Sequence, residues 1–259
     1  MEKRILLLTL ILILVMVGSI VDESYSLSKS GGRRSRTTTK SLTTSRTSST
    51  STETTVTNIK GIFFTSWGTN AYSEPKTSTS LQQLKEQVNP NWVSIPIVWE
   101  MPNIASTEIR ATSATISTNR LVETIQKIHQ NGFKIKLHLL CDPHDKTWRA
   151  KISPSNWTDW FNSYKNFVNT YATIAQQQGV EMISIGAELR SSVGYEAEWR
   201  EIIRQARERY SGLLTYGANH DSSFAVGNRE WALVKWWDAL DYAGIDGYFQ
   251  LTQKTNSTL

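Results

Sequence analysis

Glu188 stands directly after "SIGA" (184–187), at the point where a short apolar run gives way to a polar loop. A carboxylate placed there can take a proton from a bound substrate or give one to it. Four more side chains able to hydrogen-bond a polar ligand occupy comparable places. His138, Asn219, Asp246 and Tyr248 each lie at or near the end of an apolar run. Each candidate also has a purely structural use: Glu188 can cap the next turn, His138 can be a satisfied core residue, and Asp246 can pair with Lys136. The string "HLLCDPHD" (138–145) gathers His138, Cys141, Asp142 and His144. It lacks a fixed ligand spacing and Pro143 interrupts it, so no metal is expected.

Such residues act together only if the chain brings them to one place. From Asn58 onward, strand-like runs at 59–67, 92–99, 134–140, 181–186, 213–219 and 242–249 alternate with helix-period segments. Those segments are 79–88, 118–131, 155–178, 195–210 and 231–240. Ser117 and Asn131-Gly132 bracket the second helix, and Ser155 and Gly179 the third, as capping residues do. Strands alternating with helices imply repeated βαβ units and a parallel sheet. A doubly wound sheet usually carries a glycine-rich phosphate loop after its first strand. "FFTSWGTNAY" offers one glycine among aromatics, so no nucleotide cofactor is expected. The pattern predicts an α/β fold of the (β/α)8 TIM-barrel type, with about six βα units present and the site at the C-terminal ends of the strands.

Side chains alternate faces along a strand; in a barrel one face meets the helices and the other enters the lumen. In the fourth run Ile183, Ile185 and Ala187 oppose Ser184, Gly186 and Glu188. In the third, Ile135, Leu137 and Leu139 oppose Lys136 and His138; in the fifth, Leu214, Tyr216 and Ala218 oppose Thr215, Gly217 and Asn219. In the sixth, Ala243 and Ile245 oppose Gly244, Asp246 and Tyr248. The smaller or more polar face carries the candidate each time, which gathers all five round one barrel mouth. Trp67, Trp99 and Trp148 end strands or stand in the loops above, where an aromatic face suits the C–H surface of a sugar. Trp92, Trp160 and Trp199 are expected to pack.

Composition narrows the partners. Residues 58–259 hold 20 Lys/Arg and 19 Asp/Glu, so the net charge of +5 comes mostly from residues 1–57. A nucleic-acid binder concentrates basic residues on its folded surface, so no nucleic-acid partner is expected. Residues 1–26 read as a signal peptide or N-terminal membrane anchor, with Lys3 and Arg4 before "ILLLTLILILVMV". The lone Cys141 excludes an internal disulfide and leaves no cysteine for a lipid anchor near the N-terminus. Residues 27–57 are a Ser/Thr-rich linker with little to bury, expected to be disordered. The expected localisation is secreted or extracellular, membrane-tethered if the first segment is retained.

The order of several uncommon strings then carries a resemblance. "FFTSWGTNAYS" (63–73), "NPNWVSIPIVW" (89–99), "KLHLLCDPHDKTWRAKISPSNWTDWFNSYKNF" (136–167), "GVEMISIGAEL" (179–189), "EWREIIRQARERYSGLLTYGANH" (198–220) and "WWDALDYAGIDGYF" (236–249) together resemble glycoside hydrolase family 113. Its members are retaining (β/α)8-barrel glycosidases, best known as endo-β-1,4-mannanases. The resemblance implies that Glu188 is the general acid/base at the end of strand four and that His138 binds sugar. It implies that Trp148 and Arg149 match a Thr-Trp-Arg loop, and that Asn219, Asp246 and Tyr248 line the substrate groove. Departures are Leu137 and Gln250 in place of prolines, His220 in place of a tryptophan, and a loop between His138 and Trp148 about two residues longer.

A retaining glycosidase needs two carboxyl groups about 5–5.5 Å apart: one protonates the leaving oxygen and later activates water, the other forms the glycosyl-enzyme. The resemblance implies a glutamate nucleophile at the end of a seventh strand. That strand is expected beyond residue 259, in two further βα units on the order of 60 residues, so 58–259 reads as a barrel cut short. Glu100 and Asp246 are the other acids near the mouth and are not expected to replace it. The sequence supports a glycosidase acting on a β-linked oligo- or polysaccharide such as β-1,4-mannan, with no cofactor. The alternative is a non-catalytic carbohydrate-binding relic of the same barrel.

Overall fold

Asn156 opens a helix by accepting hydrogen bonds from the backbone N–H groups of Thr158 and Asp159, and Gly179 closes it with a left-handed φ of 66°. Between them lies α3 (Trp157–Gln178), whose buried face is built from Trp160, Phe161, Tyr164, Phe167 and Tyr171. The cap is Asn156, one residue past the expected Ser155. The same logic shapes α2 (Thr118–Gln130), which follows Ser117 and ends before Gly132 at φ 86°. The other helices are α1 (Lys76–Gln87), α4 (Glu196–Arg209) and a single turn, α5 (Glu230–Leu233).

The computed structural model describes residues 58–220 and 229–248. Six strands lie between these helices: β1 (Gly61–Phe63), β2 (Trp92–Met101), β3 (Lys134–Pro143), β4 (Met182–Ala187), β5 (Leu213–Asn219) and β6 (Tyr242–Asp246). Every neighbouring pair is parallel and the spatial order is the chain order. This is the curled sheet of consecutive (β/α)8-barrel units that the alternating pattern predicts. The expected signal segment, the Ser/Thr-rich linker and Gln250 lie outside the described residues. No helix among the described residues is long and apolar enough to cross a membrane.

The core sits between sheet and helices. Trp199 of α4 stacks on Trp236 with ring centroids 4.8 Å apart, and Trp160 stacks on Tyr164 at 4.9 Å. Tyr216 of β5 meets both Trp199 and Trp236 edge-on. This aromatic layer also explains where the expected helix 231–240 fails. The indole of Trp236 is fully buried and donates to the Val193 carbonyl, while Trp237 donates to the Trp231 carbonyl. The guanidinium of Arg200 takes the Lys235 carbonyl and the Asp238 carboxylate. These contacts hold the chain extended at Val234 and leave a 3-10 turn at Trp237–Ala239.

Strand lengths differ from expectation in a way that matters for the site. β1 stops at Phe63, so Trp67 stands on the following loop. β2 and β3 run on to Met101 and Pro143, which brings Glu100 and Asp142 into register at the strand ends.

Candidate active site

Lumen-facing positions follow the alternation closely in β2, β3 and β5. Ile135, Leu137, Leu139 and Cys141 join the core with the helices, while Lys136 and His138 are buried on the opposite face. β4 departs from it. Ser184 pairs with Thr215 and Ala187 with Gly217, so three steps on β4 match two on β5: one residue bulges out. A Cβ on Gly186 would stand 2.6 Å from the Tyr164 hydroxyl and 3.1 Å from the Tyr216 ring, so Gly186 faces the helices, not the lumen. Ala187 instead packs with Val98 and Leu140 on the lumen side. The expected pairing of Ala187 with Ile183 and Ile185, and of Gly186 with Ser184, is therefore corrected by the bulge. The Ser184 hydroxyl, donating to the Gly186 carbonyl at 2.9 Å, and the Tyr164 hydroxyl, donating to the Ile185 carbonyl at 2.8 Å, hold it.

Glu188 then turns over the mouth by a second device. Its φ is 56°, a left-handed conformation that costs a non-glycine residue about 1–3 kcal/mol and persists only when surroundings fix it. Its backbone N–H donates to the Gly217 carbonyl at 2.8 Å, and the next N–H, of Leu189, donates to the Tyr216 hydroxyl at 2.8 Å.

Three cationic or N–H groups face the Glu188 carboxylate. The Trp148 indole N–H donates to Oε2 at 3.3 Å, the Asn219 amide donates to Oε1 at 3.4 Å, and an Arg149 terminal nitrogen lies 4.0 Å from Oε2. Arg149 is aimed by Asp142, whose Oδ1 accepts from Nε at 2.7 Å. Burial works against the charge of Arg149, but Asp142 and Glu188 outweigh it and raise its pKa. The Ser191 hydroxyl donates to the Ala150 carbonyl at 2.7 Å and so ties the Trp148–Arg149 turn to the loop carrying Glu188. Asp142 was not among the expected site residues; it shares the alternation of Lys136 and His138, so extending that pattern along β3 would have found it.

Beside this cluster lies a groove of about 440 Å³, lined by Trp67, Trp148, Glu100, Asp142 and Arg149 among others. Trp67 is 58% exposed and Trp148 43%, unusually open for tryptophan. Glu100 forms its acidic floor, accepting from the Thr112 hydroxyl and lying 3.4 Å from His144 Nδ1. Trp99, expected among the open aromatics, belongs elsewhere: it stacks on Phe167 at 4.9 Å and donates to the Tyr171 hydroxyl. Its position on β2 points it at the helices.

Deeper in the lumen, His138 is 5% exposed, and its ring meets Phe63 edge-on at 5.0 Å. Burial, with Lys136 and Arg149 nearby, holds its pKa well below the usual histidine value, so it is a neutral imidazole. Burial lowers Lys136 to about 8, opposed by the charge of Asp246. Burial and the Glu188 charge raise Asp246 to about 6. A Cβ at Gly217 would lie 3.3 Å from both Asp246 carboxylate oxygens, which places that carboxylate in the lumen against β5. Tyr248 follows β6, 58% exposed, with its ring 5.7 Å from that of His220. The metal string does not converge: Cys141 faces the core with its thiol 3.9 Å from Met101 Sδ, while the His144 side chain is 73% exposed.

Together these features set a hydrogen-bonded carboxylate at the end of a barrel strand, beside an aromatic-walled groove. The sequence model of glycoside hydrolase family 113 matches residues 63–258. The chain belongs to that family. All eight candidate residues, from Trp67 to Tyr248, lie inside the family 113 match. None of the curated proteins matches the chain. Among solved structures it is similar to a family 113 β-1,4-mannanase determined as a complex, at 28% identity and a TM-score of 0.67 over 74% of this chain and 62% of that one. A second family 113 β-1,4-mannanase is 30% identical, with a TM-score of 0.61 over 66% and 56% of the two chains. The family 113 β-mannanase of Alicyclobacillus acidocaldarius, in complex with ManMIm, is 28% identical, with a TM-score of 0.65 over 72% and 60%. The chain thus spans about three fifths of the length of these mannanases.

Proposed function

We propose that this protein hydrolyses β-linked mannan by a retaining mechanism in which Glu188 is the general acid/base. The observation that carries the reading is the placement of Glu188: a left-handed residue after a bulge, its carboxylate facing Trp148, Asn219 and Arg149 at the edge of the Trp67–Trp148 groove. Similarity to family 113 mannanases supports mannan as the substrate class.

Chemically, the groove seats a sugar against the open indole faces, and Glu188 protonates the glycosidic oxygen as the bond breaks. Glu188 then removes a proton from the water that attacks the glycosyl-enzyme. Arg149, aimed by Asp142, keeps positive charge beside the carboxylate when it is ionised. In this reading the nucleophile is a second carboxylate after a seventh strand, as the family resemblance implies. We further propose that the protein is exported, through residues 1–26, and that residues 27–57 hold the barrel away from the cell surface.

The test is release of reducing sugar from β-1,4-mannan, β-1,4-glucan and xylan by the protein carrying its seventh strand, and by Glu188→Gln in the same protein. Mannan is expected as the preferred polymer, with activity lost in the variant. Saturable mannooligosaccharide binding with no product would favour a carbohydrate-binding relic and overturn the catalytic reading.

A further inference from the structure

Behind β5, out of reach of the groove, lies a carboxylate that the acid/base chemistry does not use. Glu230, the first residue of α5, is fully buried. Its Oε1 accepts from the Tyr216 hydroxyl at 2.5 Å and its Oε2 from the Asn219 backbone N–H at 3.1 Å. We infer that Glu230 is a positioning residue, holding Glu188 and its partner Asn219 in the geometry that proton transfer requires. The inference rests on the reading of Glu188 as acid/base.

Two chains of contact lead from this one carboxylate to Glu188. One runs through the Asn219 main chain to the Asn219 amide, which donates to Glu188 Oε1. The other runs through Tyr216. Its oxygen accepts the Leu189 N–H at 2.8 Å, so its single proton is free to go to Glu230. The Leu189 N–H belongs to the peptide unit that follows Glu188, the residue held at φ 56°. Glu230 thereby fixes both the backbone that aims the acid/base and the side chain that hydrogen-bonds it.

Burial argues that the charge has a purpose. Removing a carboxylate from water is costly, and it pushes Glu230 up to about 7 despite both hydrogen bonds. A neutral side chain of similar volume would fill the same space without that cost. A glutamine cannot replace it fully: with one oxygen and one NH₂ group it accepts from either Tyr216 or Asn219, but not from both.

The experiment compares wild type with Glu230→Ala, Glu230→Gln and Tyr216→Phe, measuring melting temperature, kcat and KM. The substrates are a mannooligosaccharide, which has a poor leaving group, and an activated aryl β-mannoside. Displacing an aligned group by about 1 Å costs roughly 100-fold, so kcat on the oligosaccharide is expected to fall by about that factor in Glu230→Ala. Glu230→Gln should be intermediate, and Tyr216→Phe should follow Glu230→Ala through the Leu189 branch alone. The aryl substrate should suffer far less, because it needs little protonation. A lower melting temperature with equal losses on both substrates would mean fewer folded molecules and would overturn the inference. So would unchanged kcat in well-folded variants. Wild type that carries the seventh-strand carboxylate and still hydrolyses neither substrate would overturn the Glu188 reading itself, and this inference with it.

Discussion

At the scale of single residues, the proposed function gives Trp148 two jobs that pull in different directions. Its indole is open to solvent, as a sugar platform must be, yet its N–H is committed to the Glu188 carboxylate at 3.3 Å. Replacing it by phenylalanine keeps most of the platform and removes the donor. A hydrogen bond to a charged group is worth about 1.5–3 kcal/mol, so Trp148→Phe is expected to lower kcat/KM by roughly 10- to 100-fold. Leucine, which loses the platform as well, should additionally raise KM. Steady-state kinetics on mannooligosaccharides checks both; equal KM for the two variants would remove Trp148 from the substrate's path. That His138, Asn219 and Asp246 share the lumen face was legible in the sequence because alternation is a local property. Glu230 was not: within "NREWAL" it looks like a solvent-facing acid of a helix's first turn. Only the fold, which seats it against the Tyr216 hydroxyl and the Asn219 N–H, makes it a buried group.

At the scale of elements, the sequence named all six strands and four of the helices because strand and helix periods differ so clearly. It placed Glu188 over the mouth by counting alternate residues, and the destination was right while the route was not. The bulge in β4 shifts the count by one after Ser184, and the left-handed turn at Glu188 brings the carboxylate back over the mouth. A bulge is set by neighbours distant in sequence, here Tyr164 and Tyr216, and leaves only a glycine as its local trace. Gly186→Ala is accordingly expected to force a shift where a Cβ would meet the Tyr164 hydroxyl at 2.6 Å. Overpacking of this kind costs about 1–3 kcal/mol. Chemical denaturation should show that loss, and Tyr164→Phe, which removes the clashing oxygen, should recover part of it in the double variant. Additive losses would contradict the packing account.

At the scale of the whole molecule, buried ionisable groups give the fold a distinctive pH dependence. Asp246 is raised to about 6 and Glu230 to about 7, in both cases chiefly by burial. A carboxyl whose pKa is higher in the folded state binds more protons there than when unfolded. Stability from these two is therefore fully present below their ordinary pKa values and is lost as pH rises through about 6 and 7. From 4.5 to about 7, the Glu230 shift corresponds to on the order of 3 kcal/mol. The lowered pKa of His138 acts in the opposite sense below its ordinary value of 6.5. Urea unfolding at a series of pH values should therefore show stability falling most clearly between pH 6.5 and about 7, and Glu230→Gln should flatten that slope. A slope unchanged by the substitution would mean that Glu230 titrates normally. The barrel class was legible from the strand–helix rhythm alone, whereas these energies arise only when packing buries Asp246 in the lumen and Glu230 behind β5.

The central claim is that Glu188 delivers and removes the proton at the glycosidic oxygen. Its most direct test is a leaving-group series of aryl β-mannosides with Glu188→Ala, in the presence and absence of azide. The account predicts a rate that falls steeply as the leaving group becomes less acidic, where wild type shows little dependence. It also predicts that azide restores turnover and yields a mannosyl azide of retained configuration. The same shallow dependence in variant and wild type, with no azide product, would contradict it.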